Sequence, residues 1–117
     1  MANKVTGRVF ISVNGERMRS KEGAKLNIGG AEREAVIGDD SIHGYTEKLT
    51  APSIEATFSH MADTDLKALS DLTDASVQFE CDTGRVYVLR NAWNAKPPEL
   101  SKGEVGVMFN GLSCEEV

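Results

Sequence analysis

The sequence predicts a mainly β protein, namely a small antiparallel β-barrel or sandwich with one short flanking α-helix. Short segments of alternating apolar and polar residues fill most of the chain, turn signals separate them, and one stretch shows helical spacing. The 117 residues are expected to form a single domain over residues 1–117. Hydrophobic residues make up 40% of the chain, which suffices for one modest core.

The first strands are predicted from alternation and a turn dipeptide. Val9, Ile11 and Val13 lie on one side of a strand that runs into Asn14-Gly15. This dipeptide suits a type I′ turn, which needs positive φ at both central positions, so residues 16–19 are expected to return as a second strand. The remaining strands of the first half are predicted at 24–28, 35–37 and 54–58.

Residues 38–51 do not show this alternation. A Gly/Asp/Ser cluster is followed by isolated apolar residues between polar ones, as in a long loop or a ribbon wetted on both sides. We predict a long loop at about 38–51, and long loops in compact domains are often functional.

The helix is expected after residue 63. Asp63 or Thr64 is the predicted N-cap, Asp65 lies in the first turn, and apolar residues at helical spacing continue to the end at residues 73–74. Such a short helix is stable only when it packs on a sheet or plugs the end of a barrel. The apolar residues are Leu66, Leu69 and Leu72.

The second half returns to β structure. Val77, Phe79 and Cys81 alternate up to the turn Asp82-Thr83-Gly84, and a strand follows from residue 86 to about 93. Residues 94–102 contain Pro97-Pro98 and cannot form a central strand. Alternation at 105–109 closes the series before a tail at 114–117.

Composition and charge exclude several classes of protein. The net charge of -5 argues against a surface that grips nucleic acid, because such binding needs clustered Lys and Arg. Residues 1–38 carry a net +3 and residues 39–117 a net -8. No apolar run approaches the ~18 residues of a membrane span, and the first residues lack a secretory h-region. Cys81 and Cys114 are expected to be reduced.

Motifs for chemistry are missing from the sequence. His43, His60, Cys81 and Cys114 lack the close spacing of metal ligands, and phosphate-binding glycine loops are not found. Ser41 lies near acidic residues and His43, but triads are assembled from distant segments, so this proximity carries little weight. No catalytic residue, cofactor or metal is predicted.

Many segments, in order along nearly the whole chain, resemble the tail tube proteins of contractile-tailed, Mu-like bacteriophages. They include Thr6-Gly7-Arg8-Val9-Phe10, Val13-Asn14-Gly15-Glu16, Gly23-Ala24-Lys25-Leu26, Arg33-Glu34-Ala35-Val36, His43-Gly44-Tyr45, Ala51-Pro52-Ser53-Ile54-Glu55-Ala56, Leu72-Thr73-Asp74-Ala75, Tyr87-Val88-Leu89-Arg90-Asn91-Ala92-Trp93, Pro97-Pro98-Glu99-Leu100-Ser101 and Cys114-Glu115-Glu116-Val117.

This resemblance implies a structural virion protein rather than an enzyme. Six copies would form a ring, inner strands would join into one barrel, and rings would stack into a tube inside a contractile sheath. DNA would pass through the lumen without tight binding. The implied partners are further copies of the chain and the sheath, baseplate and tail-terminator proteins. The implied location is the phage tail, assembled in the host bacterial cytoplasm.

Ile42, His43 and Tyr45 are the predicted subunit-interface residues. As apolar or aromatic side chains on a segment with little core to join, they are expected to be buried against a neighbouring copy. The alternative is a loop folded back on its own domain.

Three other functions stay open at this stage. One is a monomeric ligand- or carbohydrate-binding β-sandwich, in which Trp93 or Tyr45 would stack on the ligand. Another is a small hydrolase that uses the loop from Asp39 to His43. The third is the inner tube of a tail-derived secretion or bacteriocin particle.

Overall fold

The computed structural model describes residues 3–62 and 64–117, which form eleven strands and one short helix. The predicted mainly β class with a single short helix is therefore confirmed. The elements are β1 Val9–Val13, β2 Glu16–Met18, β3 Lys25–Asn27, β4 Gly30–Ile37, β5 Ile42–Thr50, β6 Ser53–Ser59, α1 Leu66–Ser70, β7 Ala75–Cys81, β8 Val86–Asn94, β9 Glu99–Ser101, β10 Glu104–Asn110 and β11 Ser113–Glu116.

Nine strands form one curved antiparallel sheet, which we call the body. Its main path runs β2-β1-β7-β8-β10-β6-β3, while β11 pairs with β8 and β9 with β10. Asn14 and Gly15 have φ of 51° and 84°, so the predicted turn joins β1 and β2. Beyond β2, Ser20 bridges to Phe58 on β6, which brings the two ends of the path together. The body is thus a nearly closed barrel.

The core fills the inside of this barrel. Alternate residues of β6 and β10 are buried, as the period of two predicts, because successive side chains of a strand point to opposite faces. The largest fully buried side chains are Phe58, Phe109, Ile11, Ile54, Leu89, Val77, Val105 and Val107.

On the edge that faces away from β7, strand β8 changes partner along its length. Its first half pairs with β11, whereas Trp93 and Asn94 pair with β10. Between them Asn91 has a φ of 50°, and its side-chain amide donates to Asp74 Oδ1 at 2.7 Å. The tail at 114–117 mostly belongs to β11, because β8 offers it an open edge.

The helix begins at Leu66, one or two residues later than the predicted caps Thr64 and Asp63 would place it. The N-cap is Asp65, whose Oδ1 accepts from the Ala68 amide at 3.1 Å. Thr64, predicted as a possible cap, instead accepts from the Met61 amide through its hydroxyl oxygen. Asp63 lies outside the described residues. The helix ends at Ser70, before the predicted end, and its buried Leu69 joins the core.

The predicted loop at 38–51 is wrong for most of its length. Residues 42–50 form β5, which pairs with β4, and the turn between the two strands spans 38–41. Nearly all residues of both strands are exposed, so no buried face imposes the apolar alternation from which strands are recognised. The ribbon wetted on both sides, the other interpretation of this stretch, is the correct one.

Candidate assembly surface

The surface that stands out is a two-stranded ribbon formed by β4, the turn 38–41 and β5, which we call the arm. It is a sheet of its own, and no other strand of the described residues pairs with its outer edges. The whole chain extends 62 × 43 × 28 Å. Exposed on both faces and open along both edges, the arm lies apart from the core.

The arm continues a hairpin that starts in the body. On the body, Leu26 of β3 lies opposite Ile54 of β6, and on the arm Glu32 lies opposite Lys48. The two pairs are six positions apart on each strand, so the pairing register does not change between body and arm. β3–β4 and β5–β6 are therefore one long hairpin with an interruption.

Glycine and proline create this interruption. Gly29 and Gly30 have φ of 73° and 105°, which residues with a Cβ rarely adopt. A Cβ on Gly29 would lie 2.8 Å from the Thr50 carbonyl oxygen and 2.6 Å from the Pro52 nitrogen. Pro52 has no amide hydrogen to donate to the ladder. The root of the arm therefore depends on two glycines and a proline, which are residue types that interrupt strands.

The tip of the arm is ordered by local contacts. The Gly38 amide donates to the Ser41 carbonyl at 2.9 Å, and His43 Nε2 lies 3.0 Å from Asp40 Oδ1. The hydrogen bond with His43 holds the pKa of the exposed Asp40 carboxyl below its usual range. A Cβ on Gly38 would overlap the His43 ring. The tip is a defined turn held by a backbone and a side-chain hydrogen bond.

One face of the arm is largely apolar. Residues that pair across a sheet share a face, and here Ala31 pairs with Leu49 and Ala35 with Tyr45. We call this the apolar face; it consists of Ala31, Arg33, Ala35, Ile37, Ile42, Tyr45, Glu47 and Leu49. Its large apolar side chains are 62–90% exposed.

The charged residues of the apolar face neutralise each other. Arg33 Nε lies 2.9 Å from Glu47 Oε1, and the Arg33 guanidinium carbon lies 5.7 Å from the centre of the Tyr45 ring. The opposite face, which we call the polar face, consists of Gly30, Glu32, Glu34, Val36, Gly44, Thr46, Lys48 and Thr50. There Lys48 Nζ lies 4.0 Å from Glu32 Oε2, and the net charge is -1.

The three predicted interface residues are close to the tip of the arm. Ile42 is 72% and Tyr45 62% exposed, and a register shift next to Ile37 leaves His43 as the extra residue of a bulge. Ile37 and Leu49, which are not among the predicted interface residues, are 73% and 90% exposed on the same face. Their alternation is visible only once the two strands are paired.

The features considered for chemistry do not form a site. His43 hydrogen-bonds to Asp40, and within residues 3–62 and 64–117 no hydrogen bond joins its ring to the Ser41 hydroxyl. The search of the described residues found no group of three or more His, Cys, Asp or Glu side chains placed to hold a metal ion. Among the described helices none has the length and apolar character to cross a membrane.

A ligand site is also poorly supported. A cavity of about 270 Å³ lies between the β1–β2 turn and the helix, with Met18, Leu69 and Leu72 among its lining residues. In the described part of the chain every buried side-chain nitrogen or oxygen has a hydrogen-bond partner, so no buried polar group waits for a ligand. Trp93 is half-buried on β8, and Arg33 already covers the Tyr45 ring.

The fold defines the class of the protein as a β-barrel with a projecting two-stranded arm. Residues 2–116 match the phage tail tube protein family. The chain belongs to this family, whose members are structural proteins and not enzymes.

Two relatives share the whole length of the chain. The Mu-like prophage FluMu tail tube protein of Haemophilus influenzae is 36% identical, over 100% of this chain and 99% of the relative. The tail tube protein of Escherichia phage Mu is 33% identical, over 98% of this chain and 97% of the relative.

Solved structures share the fold. The sheath/tube terminator of an extracellular contractile injection system, PVC, in its extended state matches with a TM-score of 0.69 at 8% identity, over 100% of this chain and 98% of that one. The tube-terminating cap of the anti-feeding prophage matches with a TM-score of 0.67 at 8% identity, over 100% and 93% of the two chains.

Proposed function

We propose that six copies of the chain form a ring, and that rings stack into the inner tube of a contractile phage tail. The observation that carries this proposal is the arm, whose apolar side chains and backbone edges are open in a member of the tail tube family. A two-stranded ribbon alone is marginally stable in water, and long open edges favour pairing with other chains. Assembly with other copies would cover both the apolar side chains and the open backbone edges of the arm.

Closing strands from several copies into one barrel removes their open edges. Barrels that enclose an aqueous channel have roughly 16–18 strands or more. Two arm strands from each of six copies fall short of that number, so the wall of the lumen also takes strands of the body. β3 and β6 lengthen the arm strands in register without adding to this number, so the additional strands come from the rest of the body.

Stacking of rings is a head-to-tail contact, which propagates along the axis without closing. Residues 1–38 carry a net +3 and residues 39–117 a net -8, but ion pairs such as Arg17–Glu80 and Lys21–Glu104 join the two segments, so the charges that meet between rings are those left unpaired on the surface. Complementary charge steers such contacts and fixes their orientation.

The acidic balance of the chain also suits the passage of DNA. A lining with net negative charge repels the phosphate backbone, so DNA moves without sticking. The further partners are the sheath, baseplate and tail-terminator proteins, and assembly takes place in the cytoplasm of the host bacterium. The names of the relatives favour a phage or prophage tail over a tail-derived secretion or bacteriocin particle.

Electron microscopy of the purified chain tests the proposal. We expect rings and tubes, with sedimentation showing large species somewhere between micromolar and millimolar protein at several salt concentrations. A strict monomer across that whole range, and saturable binding of a small ligand, would instead support the monomeric ligand-binding β-sandwich.

A gel shift with duplex DNA tests the passive lumen. At submicromolar protein and low salt we expect no shifted band, for monomer and tube alike. A shift that disappears as salt is added would show phosphate binding and contradict the proposed repulsion.

A further inference from the structure

The long hairpin changes its apolar side between body and arm. In β6 of the body the buried residues are at even positions, Ile54, Ala56 and Phe58. On the arm the apolar side chains are at odd positions, with Ala35 opposite Tyr45 and Ala31 opposite Leu49. Because the register is continuous, no inserted residue accounts for the change. The change falls at the interruption formed by Gly29, Gly30 and Pro52, and none of the apolar residues of the arm belongs to the core of the body.

The apolar face is not covered by the chain's own body either. Leu49 is 90% exposed and Tyr45 62% exposed. A contiguous exposed apolar surface rimmed by polar residues is typical of a protein contact. A covering partner must come from outside the chain.

The free-energy cost of burying the charged side chains differs between the two faces of the arm. On the apolar face the Arg33–Glu47 pair is close and the pair adds no net charge. On the polar face the Glu32–Lys48 pair is looser, at 4.0 Å, and Glu34 makes no ion pair in the described part of the chain. Burying an unpaired carboxylate is costly, whereas a closely paired charge loses less on burial.

We infer that the apolar face of the arm is the contact face for a neighbouring copy of the same chain, and that the polar face stays in water. The inference rests on the proposed tube. A second copy is the covering partner because the arm's open edges require β-strand partners in the same assembly, and copies of this chain supply such strands. The arm thus docks with a defined side toward its neighbour.

Cysteine reactivity in assembled tubes tests the face assignment. Ala35→Cys and Thr46→Cys place matched thiols on the apolar and polar faces, in adjacent rows of the arm and both exposed in the chain alone. With N-ethylmaleimide, both should react at similar rates before assembly. In tubes we expect Ala35→Cys to slow at least tenfold relative to Thr46→Cys. The parent chain, which has Cys81 and Cys114, supplies the background rate.

Lysine at the same two positions provides a second measurement if the cysteine variants fail to assemble. Ala35→Lys should prevent tube formation, because it buries an unpaired charge, whereas Thr46→Lys should assemble as the parent does. Equal protection of the two thiols, reversed protection, or normal assembly of Ala35→Lys would overturn the face assignment. If the parent chain forms no tubes at all, the proposed function fails and the inference fails with it.

Discussion

Arg33 and Glu47 face each other across the arm, with Arg33 Nε 2.9 Å from Glu47 Oε1 and the guanidinium next to the Tyr45 ring. Both side chains are about half exposed in the single chain, where such a pair contributes little to stability. If the apolar face docks on a neighbouring copy, the same pair enters a protein contact. The contribution of this ion pair to stability is then larger in the tube than in the monomer.

Glu47→Gln should therefore leave the melting temperature of the monomer nearly unchanged but impair assembly. The variant leaves Arg33 without its carboxylate in the contact, and breaking a buried pair costs about 3–5 kcal/mol. We expect at least a tenfold rise in the protein concentration at which tubes form, measured by sedimentation. Lys48→Gln, which breaks the pair on the polar face, is the control and should assemble normally. Equal effects of both variants would contradict the prediction.

The tip of the arm should respond to pH through Asp40. Its hydrogen bond with His43 lowers the pKa of Asp40 in the folded chain, so the contact stabilises the tip above the pKa of the unfolded state. The contact is lost as pH falls through the lowered pKa. NMR titration of the Asp40 carboxyl carbon measures this midpoint. In His43→Ala the midpoint should rise, and an unchanged midpoint would show that His43 is not the cause.

The body of the fold was predictable because burial leaves a pattern in the sequence. Ile54, Ala56 and Phe58 alternate in the sequence and are buried in β6, and Asn14-Gly15 forms its expected turn. The helix was also located, although Asp65 caps it instead of Thr64. Several capping residues in a row compete, and tertiary packing decides among them.

The arm could not be predicted in the same way. A strand with both faces exposed is under no pressure to alternate, so Tyr45 and Leu49 looked like isolated apolar residues in a loop. Ala35 and Tyr45 lie on the same face because β4 and β5 pair in this register. The register between two strands cannot be read from the sequence alone. Ile42 and Tyr45 are exposed, as an interface at this segment requires, and the contact of Ile42, His43 and Tyr45 with a neighbouring copy stays a prediction.

Substitution of a buried and of an exposed isoleucine should affect the stability of the chain and its assembly differently. Ile54→Ala removes a fully buried side chain and should lower the free energy of unfolding by about 2–5 kcal/mol. Ile37→Ala, at a position 73% exposed, should change it by less than about 0.5 kcal/mol but weaken tube formation. Chemical denaturation and electron microscopy provide the two measurements. A large loss of stability in Ile37→Ala would mean that the arm packs on its own body.

The double substitution of Ile42 and Tyr45 by Ser tests the predicted interface residues directly. Both side chains lie on the exposed arm and contribute nothing to the buried core, so the melting temperature of the monomer should stay within about a degree or two of the parent value. Tube formation should be abolished, because two of the three large apolar side chains near the tip of the apolar face are gone.

Thr46→Ser combined with Thr50→Ser is the matched control, since it changes two positions on the polar face and should assemble normally. Thermal unfolding followed by circular dichroism measures the first effect, and electron microscopy at high protein concentration measures the second. If the Ile42 and Tyr45 double variant unfolds the monomer, the arm supports its own chain. If the double variant polymerises as well as the parent chain, Ile42 and Tyr45 are not needed for the contact between copies, and that contact lies elsewhere.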